Sequence, residues 1–206
     1  MRIIAGAARG RHLRSLKGGL RPTADRVRES LFSMLGQRVV GARFLDLYAG
    51  VGTVGLEAIS RGAAEAVFVE SHWPAARLIE GNAATCGLAE RAEVIHAPVE
   101  RGLARLRRQA RRFDLIFLDP PYGKGEALGV MGRLAQRPGL LEDGGLLICQ
   151  HSRHEEIPER IGPYARMRQT RFGETILSIF QRGAGDAGPQ PLAEEQVDDR
   201  PVRGDI

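Results

Sequence analysis

From residue 42 onward, short apolar runs alternate with stretches whose apolar residues recur every three or four positions. This is the pattern of a mostly parallel sheet covered by helices on both faces. The apolar runs predict strands at Phe44–Tyr48, Ala66–Glu70, Glu93–His96, Phe113–Leu118 and Leu146–Gln150. The periodic stretches predict helices at Thr53–Arg61, Trp73–Cys86, Val99–Arg112 and Gly125–Ala135. The last two elements break the alternation. Tyr164–Arg171 and Thr175–Gln181 are extended runs joined through Phe172-Gly173-Glu174, a tight hairpin connection. The expected architecture is therefore an α/β, Rossmann-like, mostly parallel seven-stranded sheet ending in an antiparallel hairpin, the arrangement of class I methyltransferases.

Two segments lie outside this alternation. Residues 1 to 20 mix short apolar pieces (Ile3, Ile4, Leu13, Leu16) with arginines and glycines, a pattern suited to a hairpin or an extended arm. A helix then opens at Pro22 and Thr23, with Thr23 as N-cap, Asp25 in the positive first turn, and Val27, Leu31, Met34 and Leu35 forming an apolar stripe that Gly36 or Gly41 ends. Arg26 and Arg28 are expected to face away from that stripe. From Gly183 the chain is rich in Gly, Pro, Ala and acids, which predicts a disordered tail. The organisation expected is a basic N-terminal arm and helix over 1–38, a catalytic domain over 39–183 and an acidic tail over 184–206.

Charge follows the same division. Residues 1–38 hold nine arginines and lysines against only Asp25 and Glu29, whereas 184–206 hold six acids and two arginines. A basic cluster attracts a polyphosphate through counterion release, so Arg9, Arg11, Arg14, Arg26 and Arg28 are RNA-binding candidates, the alternative being a solvated basic surface. Cys86 and Cys149 fit neither a zinc site nor a disulfide scaffold. The N-terminus lacks an apolar run of roughly 7–15 residues, and no stretch approaches the about 18 apolar residues of a membrane span. A soluble, cytoplasmic protein without a metal is expected.

The chemistry concentrates in two places. The first is Leu45-Asp46-Leu47-Tyr48-Ala49-Gly50-Val51-Gly52-Thr53-Val54-Gly55, a strand, a glycine turn and the start of a helix. Gly50 and Gly52 let backbone pass close to a ligand, and Gly55 permits close helix–strand packing. Glu70 ends the next strand, where an acid can accept hydrogen bonds from both ribose hydroxyls. The same glycines also satisfy the dinucleotide fingerprint. Asp46 separates the two ligands: a carboxylate beside a helix N-terminus would repel a pyrophosphate but suits a cation such as the α-ammonium of S-adenosylmethionine. The alternative for Asp46 is a cap on the following helix, and for Glu70 a surface acid. After the third strand the chain reads Ile95-His96-Ala97-Pro98. No acid is available there for an adenine amino group, which leaves backbone groups and apolar contact with Ala97, and His96 is read as structural.

The second place is Asp119-Pro120-Pro121-Tyr122, which closes the fourth predicted strand. An amino group conjugated to a ring or carbonyl is a poor nucleophile, and N–H acceptors localise negative charge on its nitrogen as attack begins. The Asp119 carboxylate and the Pro120 carbonyl supply such acceptors. Two prolines lack N–H groups and fix φ near about −65°, which stiffens the corner. Tyr122 offers a face on which an extruded base can stack. Whether Asp119 or water takes the displaced proton is left open by the residues. C5-pyrimidine methylation would need a nucleophilic cysteine in this position. A nitrogen methyltransferase is the reading that results.

Met1-Arg2-Ile3-Ile4-Ala5-Gly6 with Arg9-Gly10-Arg11, Arg21-Pro22-Thr23, Asp25-Arg26-Val27-Arg28-Glu29, the glycine turn, Asp119 to Tyr122 and Phe172-Gly173-Glu174-Thr175 together resemble the RsmD family from Met1 to about Gln181. That family methylates the exocyclic N2 of a guanine in 16S ribosomal RNA. The resemblance implies that Asp46, Gly50 and Gly52 line the donor site and Glu70 the ribose. It implies that Asp119, Pro120 and Tyr122 form the acceptor site, and that the Arg21-to-Glu29 segment, with Thr23, covers the methionine end. It further implies an assembling 30S subunit as substrate and a monomeric enzyme. Val51 stands where the family often has Ser, and the acidic tail lies outside the pattern. Competing readings are a DNA or protein (glutamine) amino-group methyltransferase, a nicotinamide-dependent oxidoreductase and a non-catalytic RNA-binding assembly factor.

Overall fold

The computed structural model describes residues 1–16, 22–123 and 125–183, with the side chains of residues 22–24 outside that description. The acidic tail and the Thr23 side chain fall outside that description; the first helix already begins at Pro22, which makes Thr23 its second residue and not the N-cap expected. The elements in chain order are α1 (Pro22–Leu35), β1 (Arg43–Leu47), α2 (Thr53–Ser60), β2 (Glu65–Glu70), α3 (Trp73–Cys86), β3 (Ala92–His96), α4 (Val99–Arg108), β4 (Phe113–Leu118), α5 (Glu126–Gln136), β5 (Leu141–Ser152), β6 (Arg160–Ile161), β7 (Tyr164–Phe172) and β8 (Thr175–Arg182).

The strands form one sheet in the order β3-β2-β1-β4-β5-β8-β7-β6. The first five are mutually parallel, and β8, β7 and β6 continue antiparallel. The expected sheet of seven strands thus gains an eighth, β6, which pairs Arg160 with Ala165 and Ile161 with Tyr164. Two residues are too few to show a period of two in sequence. Between β1 and β4 the order of connection reverses, and such a switch point opens a crevice at the carboxyl ends of its strands.

Side-chain alternation splits the core between the two faces. On one, Phe44, Ala66, Phe68, Leu115, Phe117 and Ile148 pack against α2 and α3 together with Ile3, Leu13 and Leu31. On the other, Leu45, Val67, Ile116 and Leu147 pack against Leu103 and Leu106 of α4 and Val130 and Leu134 of α5. Burying each large apolar side chain contributes about 1.5–3 kcal/mol, so both helical layers are fixed firmly to the strands that carry the glycine turn. At the opposite end of the sheet, Arg43 bonds Asp114 and Glu142, each at 2.9 Å, tying β1, β4 and β5 in register.

Several boundaries differ from expectation for local reasons. α4 stops at Arg108 rather than Arg112, since Ala110 takes a left-handed φ of 52° and Arg111 turns back to Glu65 and Glu93. β5 begins five residues earlier than expected, at Leu141, through an irregularity where the partner of Phe113 is Leu141 but that of Leu115 is Leu146. α1 ends at Leu35, and Gly36 follows with φ 49°. The hairpin turns at Gly173, φ 61°, between paired Phe172 and Thr175, the positive φ a primed two-residue turn requires.

Residues 1–13 fold as an irregular hairpin, with Arg2 bridged antiparallel to His12. It is built onto α2. Gly6 sits so close to that helix that a Cβ would lie 1.8 Å from the Ser60 carbonyl oxygen. The buried Glu57 carboxylate accepts the Ile4 and Ala5 N–H groups at 2.8 and 3.0 Å, and Ser60 Oγ accepts that of Ala8 at 3.0 Å. Among the described residues, no helix is long and apolar enough to cross a membrane.

Candidate active site

The turn after β1 contains a residue that the glycine pattern did not flag. Tyr48 has φ 61°, Gly50 56° and Gly52 82°. A non-glycine residue held left-handed costs about 1–3 kcal/mol and is retained where surrounding packing imposes it; Tyr48 is half-buried and hydrogen-bonds Glu126, burial being the first cause that pushes its phenol up. A Cβ on Gly50 would meet nothing within 4 Å, so its backbone faces open space, whereas one on Gly55 would lie 2.3 Å from the Phe68 ring. Gly55 is therefore the close helix–strand contact expected from sequence.

Asp46 lies beneath this turn between Phe68 and Phe117 of the neighbouring strands. Its side chain is 1% exposed, and Oδ2 accepts the Gly55 N–H at 2.9 Å, so the capping alternative is present in the structure. Burial pushes the Asp46 carboxyl up to about 8 against the Gly55 N–H, and the charges of Asp119 and Glu70 add to the shift. Glu70 is buried, accepting the Gly50 N–H at 2.7 Å through Oε2 and the His72 N–H at 2.7 Å through Oε1. Each oxygen keeps a second lone pair. The half-buried Ala97 donates its N–H to the Glu70 carbonyl at 3.0 Å, and His96 contacts the Ser71 carbonyl at 3.0 Å.

Asp119 follows β4 directly, its N–H 3.4 Å from the Leu47 carbonyl at the end of β1. Burial pushes its carboxyl up to about 7, opposed by a hydrogen bond from Gln150. Pro120 is buried, Pro121 is exposed and Tyr122 is 42% exposed. The structure thus brings Asp46, Glu70 and Asp119 to the carboxyl ends of β1, β2 and β4, within electrostatic range of one another and beside the glycine turn. None of the three has a described arginine or lysine as ion-pair partner. A cationic ligand would supply the missing charge, and an adenosine would place its ribose hydroxyls at Glu70; S-adenosylmethionine fits this set.

The arginine candidates divide. Arg9, Arg11, Arg14 and Arg26 are exposed. Arg28, expected on the outer face of its helix, is instead 4% exposed, with Nη2 2.9 Å from the Arg2 carbonyl and 3.1 Å from Asp25, and Nε 3.8 Å from Glu57. The arm folds back over that side of α1, so a side chain that periodicity places outside is covered. Two positioning residues carried no sequence signal. One is Glu57; the other is Asn82, whose Oδ1 accepts the Arg14 N–H at 2.8 Å while Nδ2 donates to the Arg14 and Val51 carbonyls at 3.1 Å. The arm is thereby pinned to the glycine turn.

A parallel sheet finished by an antiparallel hairpin, with an acid-lined glycine turn at its switch point, defines the class I methyltransferase fold. The chain belongs to the family described as conserved hypothetical protein 95, which matches residues 1–181, the RsmD family whose motifs it carries. It is 37% identical over 183 residues to a putative rRNA methyltransferase of Bacillus subtilis, covering 88% of this chain and 99% of the relative. It is 34% identical over 185 residues to ribosomal RNA small subunit methyltransferase D of Escherichia coli, covering 89% and 91%. A solved putative methyltransferase from Escherichia coli superposes with a TM-score of 0.78 at 33% identity, covering 89% of this chain and 98% of its own.

Proposed function

We propose that this protein transfers a methyl group from S-adenosylmethionine to the exocyclic N2 of a guanine in 16S rRNA, within a 30S subunit or its assembly intermediate, acting as a cytoplasmic monomer. The observation that carries the reading is the meeting of Asp119, at the head of its diproline corner, with the Asp46 and Glu70 carboxylates at the switch point. The relatives' names support ribosomal RNA as the substrate class.

S-adenosylmethionine, when bound there, supplies a methyl group made electrophilic by its sulfonium. In-line displacement requires donor and acceptor to be held in line at about 3–3.5 Å, and the rest is the work of this chain's residues. Glu70 binds the ribose hydroxyls. Asp46 and the glycine turn hold the methionine end. Asp119 and the Pro120 carbonyl accept the two N–H bonds of the guanine amino group, drawing its lone pair out of the ring, and once the nitrogen carries the methyl group one of those protons leaves to Asp119 or to water. Tyr122 stacks on the extruded base, a contact worth about 1–3 kcal/mol. The exposed arginines of the arm hold the RNA backbone.

The test supplies labelled donor with unmodified 30S particles, free rRNA, DNA and protein, and locates the label. The expected product is guanine N2 in the 30S sample, greatly reduced in Asp119→Ala. Labelled DNA or glutamine with unlabelled RNA would reject the assignment, and RNA binding without any label would make the protein an assembly factor.

A further inference from the structure

Tyr122 is 42% exposed, and its hydroxyl lies beside two side chains of the neighbouring strands. Gln150 Nε2 stands 3.5 Å from Tyr122 Oη, and Thr175 Oγ1 stands 3.4 Å from the same oxygen. The Gln150 amide also hydrogen-bonds the Asp119 carboxylate. One side chain therefore touches both groups of the acceptor corner. The strand register explains how. Leu118 of β4 pairs with Cys149 of β5, which sets Asp119 and Gln150 side by side just beyond the pair, and Ser152 of β5 pairs with Thr175 of β8.

We propose that Gln150 is a positioning residue whose side-chain amide sets the angle between the Asp119 carboxylate and the Tyr122 ring, with Thr175 as the second stop on the tyrosine hydroxyl. The inference rests on the amino-group methyltransferase reading above. The amide nitrogen carries two N–H bonds, enough to donate to the carboxylate and to the phenol oxygen together. The contact to a charged acceptor is the stronger of the two. The separations at Tyr122 are long for hydrogen bonds, as catalytic contacts often are before ligand binding tightens them. Methyl transfer tolerates little misplacement of its acceptor, and a ring more than two-fifths exposed on a turn with Gly123 at φ 79° needs such fixing. The turn is braced from the same strand: Glu155, just past the end of β5, accepts the Gly123 N–H at 3.2 Å and the Ser152 N–H at 3.4 Å. The arrangement accounts for a tyrosine where stacking alone would accept phenylalanine, and for Thr175 at the end of the Phe172-Gly173-Glu174-Thr175 motif.

The test uses the full chain as Gln150→Leu, Tyr122→Phe and the double variant. Methylation kinetics, donor affinity by calorimetry and the titration of the 13C-labelled Asp119 carboxyl in the ligand-free protein are measured. Gln150→Leu is expected to lower kcat about tenfold, the loss of one charge-assisted hydrogen bond, with donor Kd within about twofold when measured well above the Asp119 titration, where the carboxylate is ionised with or without Gln150. The Asp119 titration should move to higher pH, because Gln150 favours the ionised form. The double variant should be less than multiplicatively slower than the two single variants, since both remove the Gln150–Tyr122 linkage and Tyr122→Phe removes only the Thr175 contact besides. Independent, multiplicative losses or an unmoved carboxyl titration would overturn the proposal. Should Gln150→Leu fail to fold, Gln150→Met, of similar length and without an N–H donor, against Tyr122→Phe gives the same cycle, and multiplicative losses there overturn it equally. If wild type methylates no RNA, the functional reading fails and the carboxyl titration decides this one: movement supports the linkage, and its absence refutes it.

Discussion

Donor affinity should be coupled to pH through the acidic cluster. In the ligand-free protein burial holds Asp119 up to about 7 and Asp46 up to about 8, so both carboxyls are largely protonated at pH 6. A cationic ligand favours their ionised forms, and binding must therefore release protons. Below its pKa, each obligatory ionisation raises affinity tenfold per pH unit; between pH 5.5 and 7 the ionised fraction of Asp119 alone grows about fifteenfold. Asp46 adds to that if it ionises as well. The window stops near pH 7.5, because a free α-amino group itself loses its proton at about 7.7–8.0. Calorimetry at fixed ionic strength, in two buffers of different ionisation enthalpy, gives both Kd and the number of protons released. Asp119→Asn should flatten the dependence by one proton. The same shift governs stability with the opposite sign. An acid whose folded pKa is raised binds more protons folded than unfolded, so the ligand-free protein is most stable near and below the ordinary Asp value of 3.8 as far as Asp46 is concerned and loses that contribution as pH rises toward about 8. Added donor should therefore raise the unfolding temperature more at pH 7.5 than at pH 6. A donor Kd that stays flat from pH 5.5 to 7.5, with no buffer-dependent heat, would refute the assignment of a cation to these carboxylates.

Three further outcomes follow from particular contacts. Gly55→Ala places a methyl 2.3 Å from the Phe68 ring and should cost about 1–3 kcal/mol of stability by overpacking, measured by urea unfolding and partly relieved by Phe68→Leu. Arg28→Ala should destabilise by a similar amount, about 1–3 kcal/mol, because it strips a buried partner from Asp25 and Glu57, whereas Arg26→Ala on the exposed face should stay within about 0.5 kcal/mol; equal effects would undo the assignment of Arg28 to the interior. Charge reversal at Arg9 and Arg11 should weaken RNA binding and flatten its salt dependence while donor Kd holds, and an unchanged salt slope would leave the arm a solvated surface.

What the sequence revealed and what it hid follow from one physical distinction. Periodicity reports which side chains are removed from water over a whole element, so β1 to β5 and the covering helices were legible, as were the turns where a glycine must take positive φ. The acids at strand ends were legible for a related reason: a carboxylate at the edge of an apolar run is conspicuous, and Asp46, Glu70 and Asp119 do converge. Single polar tethers leave no such trace. Asn82 and Glu57 look like ordinary helix residues, and only the fold shows that one binds the arm to Val51 and the other receives Ile4 and Ala5. Arg28 fails for the complementary reason. Helix periodicity assigns an outer face relative to one neighbour, the sheet, and cannot anticipate that the first thirteen residues return to cover that face. The consequence bears on how the arm works. Its backbone is bonded to α2 through Glu57 and Ser60 and to the glycine turn through Asn82, and its apolar residues Ile3, Ala8 and Leu13 share the core with Phe44 and Leu56. A segment so attached cannot move as a loose basic tail. RNA held by Arg9, Arg11 and Arg14 would therefore be held in fixed register with the glycine turn after β1.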